Sequence, residues 1–134
     1  MVFNPVIVEV ESEKMKIMIV DDNRHIRAHV RRVIGSVTRE KVDLVECADG
    51  EEAVQSYSRS PSDLVVMDIS MPHKDGITAA AEITAHDHSA KIIFLTLHPV
   101  SEYTFLLKNS GVLAVIGKED VSDLQKELKL FFPT

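Results

Sequence analysis

Five short apolar runs recur along the chain, and segments with helical spacing separate them. Each run is nearly continuously apolar instead of alternating with polar residues, which is typical of a strand buried on both faces of a sheet. Such strands occur mainly in parallel sheets that helices cover on both sides. The runs are Lys16–Val20, Val42–Glu46, Leu64–Met67, Lys91–Leu95 and Leu113–Ile116.

The segments between these runs have apolar residues at helical spacing or a helix-forming composition. Five strands that alternate with five helices predict an α/β fold with a doubly wound, five-stranded parallel sheet. Gly111 follows the fourth predicted helix as its candidate C-cap. The five predicted helices are Asn23–Ile34, Gly50–Ser58, Ile77–Ala85, Ser101–Asn109 and Val121–Phe132.

The length of 134 residues corresponds to about one domain. Residues 1–15 stand apart as an N-terminal extension, in which Val6, Val8 and Val10 alternate with other residues. This pattern leaves two alternatives open, an extra edge strand or a disordered tail. We predict that residues 16–132 form the domain, which leaves no room within this sequence for an output domain.

Charge and cysteine content exclude several classes of protein. With 21 acidic and 15 basic residues the net charge is −6, so the chain is a poor candidate for direct binding to nucleic acid. Its one cysteine, Cys47, forms no intramolecular disulfide, which suits a reducing compartment. No apolar run has the roughly 18 residues of a membrane span, and the N-terminus lacks a signal peptide pattern. We therefore expect a cytoplasmic protein with no membrane contact.

Polar residues follow four of the predicted strands where each strand ends. Asp21 and Asp22 follow the first, while Asp68, Thr96 and Lys118 lie at the ends of the third, fourth and fifth. In an open parallel sheet, ligands bind outside the carboxyl ends of the strands. Three carboxylates held together repel one another, and a divalent cation removes that conflict. Mg²⁺ prefers oxygen ligands and needs only one or two carboxylates, so the set predicts a magnesium site.

This residue set also contains the parts that phosphoryl transfer requires. Asp68 is the candidate nucleophile and would form an acyl phosphate. Asp21 and Asp22 would hold the metal, Thr96 would donate its hydroxyl to a phosphoryl oxygen, and Lys118 would pair with carboxylate or phosphate. The structural alternative is that Asp21 or Asp22 caps the following helix, because Asp is a favoured N-cap residue.

With these residues in this order, the sequence resembles the receiver domain of two-component response regulators. The resemblance covers Lys16 to Phe132 and is closest to receivers that precede a helix-turn-helix DNA-binding domain of the LuxR type. The matching pieces are IVDDN (Ile19–Asn23), ECADGEEAV (Glu46–Val54), DLVVMDISMPHKDGI (Asp63–Ile77), FLTLH (Phe94–His98), SEYTFLLKNSG (Ser101–Gly111) and VIGKED (Val115–Asp120).

The resemblance implies the flavodoxin-like receiver fold with strand order 2-1-3-4-5. It implies Mg²⁺-dependent transfer of a phosphoryl group to Asp68 from the phosphohistidine of a sensor histidine kinase or a phosphotransfer protein. It also implies that the backbone carbonyl of Ser70 completes the metal ligands and that phosphorylation switches a surface for a partner or a dimer.

The sequence departs from the family pattern at four positions near the predicted site, one of which is Glu119, where many receivers carry proline. Val115 stands where receivers usually carry a Tyr or Phe that acts as a rotameric switch. Leu97 stands where a small residue is frequent, and would crowd the access path of the phosphate. His98 lies two residues past Thr96, where it could influence how water reaches an acyl phosphate.

The sequence is compatible with three functions. The chain is a phosphorylated receiver, the receiver portion of a DNA-binding transcription regulator, or an interaction module with an impaired switch. An aspartyl phosphatase is disfavoured because Ser70 stands where those enzymes carry a second acid, so we expect no enzymatic activity.

A homodimer would use the fourth predicted helix, the fifth strand and the fifth helix. On the fourth helix, Tyr103 and Leu107 would point away from Phe105, so one of these sets should be partly exposed.

Overall fold

Five parallel strands form the centre of the fold. The computed structural model describes residues 14–132. The strands are β1 (Met15–Val20), β2 (Val42–Cys47), β3 (Leu64–Asp68), β4 (Ile92–Thr96) and β5 (Val112–Gly117). Their order in the sheet is β2-β1-β3-β4-β5, and all pairs are parallel. This confirms the predicted fold class and strand order. The predicted extension of residues 1–15 lies outside the described residues except for Lys14 and Met15, and Met15 begins β1.

The alternation of side chains along the strands divides the core into two layers. Met18, Met67 and Phe94 face one side, where they pack with buried residues of the second and third helices. Ile19 and Leu95 face the other side, against the first and last helices. β3 and β4 are buried along their whole length, as predicted. β2 is only partly buried, contrary to the prediction, because an edge strand has a neighbour on one side alone.

Four α-helices cover the sheet: α1 (Arg24–Val37), α2 (Gly50–Arg59), α3 (Gly76–His86) and α4 (Val121–Phe131). A side-chain carboxylate or amide oxygen caps each N-terminus by accepting a backbone N–H. The capping residues are Asn23, Asp49, Asp75 and Asp120. None of the helices within residues 14–132 is long and apolar enough to cross a membrane.

The fourth crossover differs from the prediction of an α-helix over Ser101–Asn109. Here the chain forms two short 3₁₀ helices, η1 (Val100–Glu102) and η2 (Thr104–Lys108). The N–H of Leu106 donates to the carbonyl of Tyr103, three residues back, which is the 3₁₀ pattern. Tyr103 interrupts the segment at φ −122°, and Leu106 is the buried residue of η2. A segment that buries so little apolar surface gains little from a continuous α-helix, because packing supplies most helical stability.

Gly111, the predicted C-cap, lies in the turn between η2 and β5 with a φ of +90°. A Cβ at this position would approach the carbonyl oxygen of Ala90 to 2.3 Å. The turn therefore requires glycine for both its backbone conformation and its close packing.

A buried tyrosine links α2 to the end of α3. The Tyr57 hydroxyl donates to Asp87 Oδ2 at 2.6 Å, and Asp87 also accepts hydrogen bonds from the backbone N–H and the hydroxyl of Ser89. Burial and then the Asp87 carboxylate raise the pKa of Tyr57, which therefore stays a donor. The hydrogen bonds from Ser89 and Tyr57 lower the pKa of Asp87 below 3.8.

We expect Asp87→Asn to remove part of the acid sensitivity of folding. A carboxyl whose pKa is depressed in the folded state stabilises the fold above its unfolded pKa, and that contribution is lost as pH falls through the folded value. Asp87→Asn should therefore be less stable than the native chain at neutral pH, and the difference should narrow below pH 3.8. Urea denaturation across this range measures it. If the difference in free energy of unfolding between the native chain and Asp87→Asn stays constant with pH, the Asp87 carboxylate does not contribute to the acid sensitivity of folding.

Candidate phosphoacceptor and metal site

The carboxyl ends of β1 and β3 bring three aspartates together. One carboxylate oxygen from each of Asp21, Asp22 and Asp68 lies within 4.8 Å of the others. Asp21 and Asp68 are buried, whereas Asp22 is exposed. These side chains line a pocket of about 330 Å³ together with residues of the strand-end loops, including Ser70, Leu97, His98 and Lys118. The structure thus gathers the three predicted carboxylates at one edge of the sheet.

Lys118 bridges the two buried carboxylates. Its Nζ lies 2.8 Å from Asp21 Oδ2 and 3.0 Å from Asp68 Oδ2. The Lys118 N–H donates to the Thr96 carbonyl at 2.8 Å, which places the residue beyond the end of β5. The ammonium therefore compensates for negative charge that the fold would otherwise leave unpaired in a buried place.

Burial and charge shift the pKa values of this pair. Burial raises the pKa of Asp68, and the nearby Asp21 charge adds to this, while Lys118 opposes it without cancelling it. For Lys118, burial disfavours the charged ammonium, but its contacts with Asp21 and Asp68 outweigh burial and raise its pKa. Lys118 is therefore charged at neutral pH, and Asp68 holds its negative charge less readily than an exposed aspartate does.

The donor set fits a small divalent cation. Oδ2 of Asp21 is buried, and the Lys118 ammonium lies 2.8 Å from it. Lys118 supplies one positive charge to three clustered carboxylates, so a further cation would reduce their mutual repulsion. Three carboxylates are hard oxygen ligands of the kind that Mg²⁺ takes. The Ser70 N–H donates to Asp68 Oδ1 at 3.2 Å; the Ser70 carbonyl as a metal ligand stays a prediction.

Asn23 caps α1, which removes the alternative role of Asp21 and Asp22 as caps. Its side-chain oxygen accepts the His25 N–H at 2.8 Å. Asp21 Oδ1 instead accepts the Asn23 N–H at 2.9 Å, which orients the carboxylate from the turn before the helix. The position of Asp21 thus depends on the local turn and leaves Oδ2 facing the pocket and Lys118.

Arg27, which was not among the predicted site residues, supports the site from α1. Its Nη1 donates to the carbonyl of Asp21 at 2.7 Å, and its Nε pairs with Glu46 at 3.1 Å. The side chain therefore fastens the strand end that carries Asp21 to both α1 and β2. An arginine in the first turns of a helix carries no pattern that would have indicated this role.

The structure does not bring Thr96 into the pocket lining. Thr96 ends β4 and is 2% exposed, and its Oγ1 accepts the His98 N–H at 2.9 Å. Leu97 is 71% exposed and lines the pocket beside His98. Val115 is buried in β5 and pairs in register with Phe94. Thr96, the predicted hydroxyl donor, is therefore not one of the residues that line this pocket, whereas Leu97 and His98 are.

Close backbone packing holds the loop after Asp68. Gly76 begins α3, and its N–H donates to the Ile69 carbonyl at 2.8 Å. A Cβ on Gly76 would lie 2.1 Å from the carbonyl oxygen of Asp68. Lys74 in the same loop pairs with Glu51 at 2.8 Å and with Glu82 at 2.5 Å, which ties the loop to α2 and α3. The loop that carries Ser70 is thus held at both ends.

Comparison with known proteins agrees with this architecture. Residues 17–129 match the family described as response regulator receiver domain. The chain belongs to this family. It is therefore a receiver domain of two-component response regulators, a family whose members interact with histidine kinases or phosphotransfer proteins. The predicted resemblance is confirmed.

Similar proteins include transcription and chemotaxis regulators. The chain is 31% identical over 104 residues to the response regulator UvrY of Escherichia coli (strain K12), a match that covers 78% of this chain and 47% of that protein. A LuxR-family response regulator from Aurantimonas sp. SI85-9A1 superposes with a TM-score of 0.76 and 30% identity, over 89% of this chain and 85% of that one. This supports the predicted closeness to LuxR-type regulators.

A third similar structure is the CheX–CheY–BeF3–Mg complex of Borrelia burgdorferi, with a TM-score of 0.74 and 27% identity over 90% of both chains. Among the curated relatives compared, matches span between 29% and 66% of the relative's length. The chain thus corresponds to one portion of several longer proteins.

Proposed function

We propose that Asp68 accepts a phosphoryl group from the phosphohistidine of a histidine kinase or phosphotransfer protein. The observation that carries this proposal is the cluster of Asp21, Asp22 and Asp68 within 4.8 Å in one pocket, where Lys118 bridges Asp21 and Asp68. Few structural roles require two buried carboxylates and an ammonium at the end of a sheet. We propose that the chain is not itself an enzyme. We further propose that it acts in the cytoplasm, where a kinase partner would present phosphohistidine.

In the proposed step, an Asp68 carboxylate oxygen attacks phosphorus while the histidine nitrogen leaves. One P–N bond breaks and one acyl C–O–P linkage forms, so the phosphoryl group passes to Asp68 and the partner's imidazole is released. Lys118, now held by Asp21 and Asp68, turns to a phosphoryl oxygen. Thr96 Oγ1 accepts the His98 N–H, which leaves its hydroxyl hydrogen to donate to a phosphoryl oxygen.

Asp21, Asp22 and Asp68, with the Ser70 carbonyl, are the residues that would hold Mg²⁺. The bound cation would neutralise charge on the phosphoryl oxygens. Asp22 is exposed and therefore accessible to a hydrated ion, whereas Asp21 would offer the buried Oδ2 that Lys118 now contacts at 2.8 Å.

Intact-mass measurement after incubation with acetyl phosphate and Mg²⁺ tests this function. We expect one added phosphoryl group on the native chain, none on Asp68→Asn, and none when EDTA removes the metal. The matched control is Asp75→Asn, an exposed acid of the same loop whose capping role an asparagine can keep. Phosphorylation of Asp68→Asn, or no phosphorylation of the native chain by any donor, would contradict the proposal.

Phosphorylation is proposed to alter a surface for a partner or for a second copy, built from η1, η2, β5 and α4. DNA contacts in a longer protein would come from a segment other than the residues described here. A second candidate function is an interaction module with a weakened switch, and Val115 is the observation that favours it. Valine has no ring to move between buried and exposed positions, so in that case phosphorylation of Asp68 would leave partner binding unchanged.

A further inference from the structure

A second pocket lies at the amino ends of the strands, on the opposite edge of the sheet from the phosphoacceptor site. We call it the amino-end pocket, and its volume is about 460 Å³. Asp63 and Lys91, which line it, directly precede β3 and β4. Tyr57, Asp87 and Phe131 reach it from the carboxyl-terminal ends of α2, α3 and α4. Side chains from several elements thus meet in a place that the proposed phosphoryl transfer does not use.

A buried hydroxyl of this pocket has no hydrogen-bond partner in the described part of the chain. Ser62 lines the pocket and is only 6% exposed. Its Oγ neither donates nor accepts a hydrogen bond among residues 14–132. Folded proteins leave few buried polar atoms unpaired, because a buried group without its hydrogen bond is costly. The unpaired Ser62 hydroxyl therefore points to a polar molecule as the occupant of the pocket.

Two carboxylates in the pocket lack a cationic partner. Asp87 is held by hydrogen bonds from Tyr57 and Ser89, and Asp63 Oδ2 accepts the Lys16 N–H at 2.7 Å. Neither carboxylate forms an ion pair with another residue in the range 14–132. After burial, the charges of Asp87 and Asp63 raise the pKa of Tyr57, so both carboxylates lie near its hydroxyl. The two acids together attract a positively charged group.

Lys91 adds the opposite charge to the same pocket. Its Nζ lies 5.8 Å from the ring centroid of Phe131, and no carboxylate that the structure describes pairs with it. A purely cationic ligand would be repelled by Lys91, and a purely anionic one by Asp63 and Asp87. A small zwitterion satisfies both signs of charge, with its ammonium at the acids and its carboxylate at the lysine. Phe131 and Pro61 leave apolar surface for the rest of such a molecule.

We propose that the amino-end pocket binds a free α-amino acid with an apolar side chain. Its ammonium has three N–H groups to donate, and Asp63, Asp87 and Ser62 Oγ are the acceptors. Its carboxylate pairs with Lys91, and its side chain packs against Phe131. The pocket volume lies within the roughly 300–1,000 Å³ of small-molecule sites. This inference goes beyond the proposed phosphoacceptor function and does not depend on it.

Isothermal titration calorimetry of the full chain with L-leucine tests the inference. We expect saturable binding of one molecule per chain. N-acetyl-L-leucine lacks the ammonium and L-leucinamide lacks the carboxylate, so each should bind about tenfold more weakly than L-leucine, as expected for the loss of one charged hydrogen-bonding group.

Variants of the lining residues assign the binding to this pocket. Asp63→Asn and Lys91→Met should each weaken L-leucine binding about tenfold, and Lys91→Met should leave L-leucinamide binding no weaker than in the native chain. Ser62→Ala should also weaken binding, yet it should not lower the free energy of unfolding in urea, because the hydroxyl it removes is unpaired. The matched controls are Asp43→Asn and Lys41→Met, which remove exposed charges outside the pocket and should bind L-leucine like the native chain.

Three outcomes would overturn the inference. The first is the absence of saturable binding with L-leucine, L-methionine and L-phenylalanine. The second is binding of L-leucinamide or N-acetyl-L-leucine as tightly as L-leucine, which would exclude a zwitterion site. The third is native affinity for L-leucine in both Asp63→Asn and Lys91→Met, which would place the bound molecule elsewhere. Circular dichroism of each variant verifies that a loss of binding does not result from unfolding.

Discussion

Lys118→Met should lower the free energy of unfolding by about 3 kcal/mol at neutral pH. The substitution keeps the aliphatic length and removes the charge, so Asp21 and Asp68 remain buried without their shared ammonium. Breaking a buried ion pair in this way costs about 3–5 kcal/mol, and the lower end applies because the pocket opens to solvent. Urea denaturation measures the loss. Lys41→Met removes an exposed lysine and should change stability by less than about 0.5 kcal/mol.

The stability deficit of Lys118→Met relative to the native chain should become smaller as the pH falls. The pKa of Asp68 is raised in the folded state, so Asp68 favours folding most below its unfolded pKa, near 3.8, and this contribution is lost as pH rises through the folded value. Without Lys118 the carboxyl should take up a proton still more readily, and the deficit of Lys118→Met should shrink as pH falls. A deficit that grows on acidification, or one equal to that of Lys41→Met, would refute the assignment.

Gly76→Ala should lower the free energy of unfolding by about 3 kcal/mol and reduce phosphoryl uptake. The new Cβ would lie 2.1 Å from the Asp68 carbonyl oxygen and 3.1 Å from Ile69 Cα, so the backbone has to move. Overpacking typically costs 1–3 kcal/mol, and here the obstructing atoms are backbone atoms that cannot rotate away. Because the displaced residue is Asp68 itself, the candidate phosphoacceptor should move with it.

Gly35→Ala is the matched control for this substitution. Gly35 lies within α1, and a Cβ there would meet nothing within 4 Å. Alanine in a helix interior is about 0.5–1 kcal/mol more favourable than glycine, so this variant should be more stable than the native chain. If urea denaturation shows a lower free energy of unfolding for Gly76→Ala and a higher one for Gly35→Ala, the steric explanation is supported. A comparable loss of stability in both variants would contradict it.

The sheet could be predicted because strand burial leaves a local pattern. Central strands such as β3 and β4 are continuously apolar, and the positions where those runs end locate Asp21, Asp68 and Thr96. The fourth crossover could not be predicted in this way. An α-helix and a 3₁₀ helix differ in the offset of their hydrogen bonds, and the composition of Ser101–Asn109 suits either. The prediction that part of this aromatic and leucine set is exposed is confirmed, because Phe105 is 55% and Leu107 is 47% exposed while η2 buries Leu106.

The sequence by itself determined the fold class, the strand order implied by the family resemblance, and the set of carboxylates at one edge of the sheet. These depend on residue order and local apolar pattern, which the chain carries directly. Only the tertiary structure decided that Lys118 bridges Asp21 and Asp68, that Arg27 supports Asp21, and that Thr96 Oγ1 accepts the His98 N–H. Those features depend on rotamers and burial, which result from contacts between residues that fold together from distant parts of the chain.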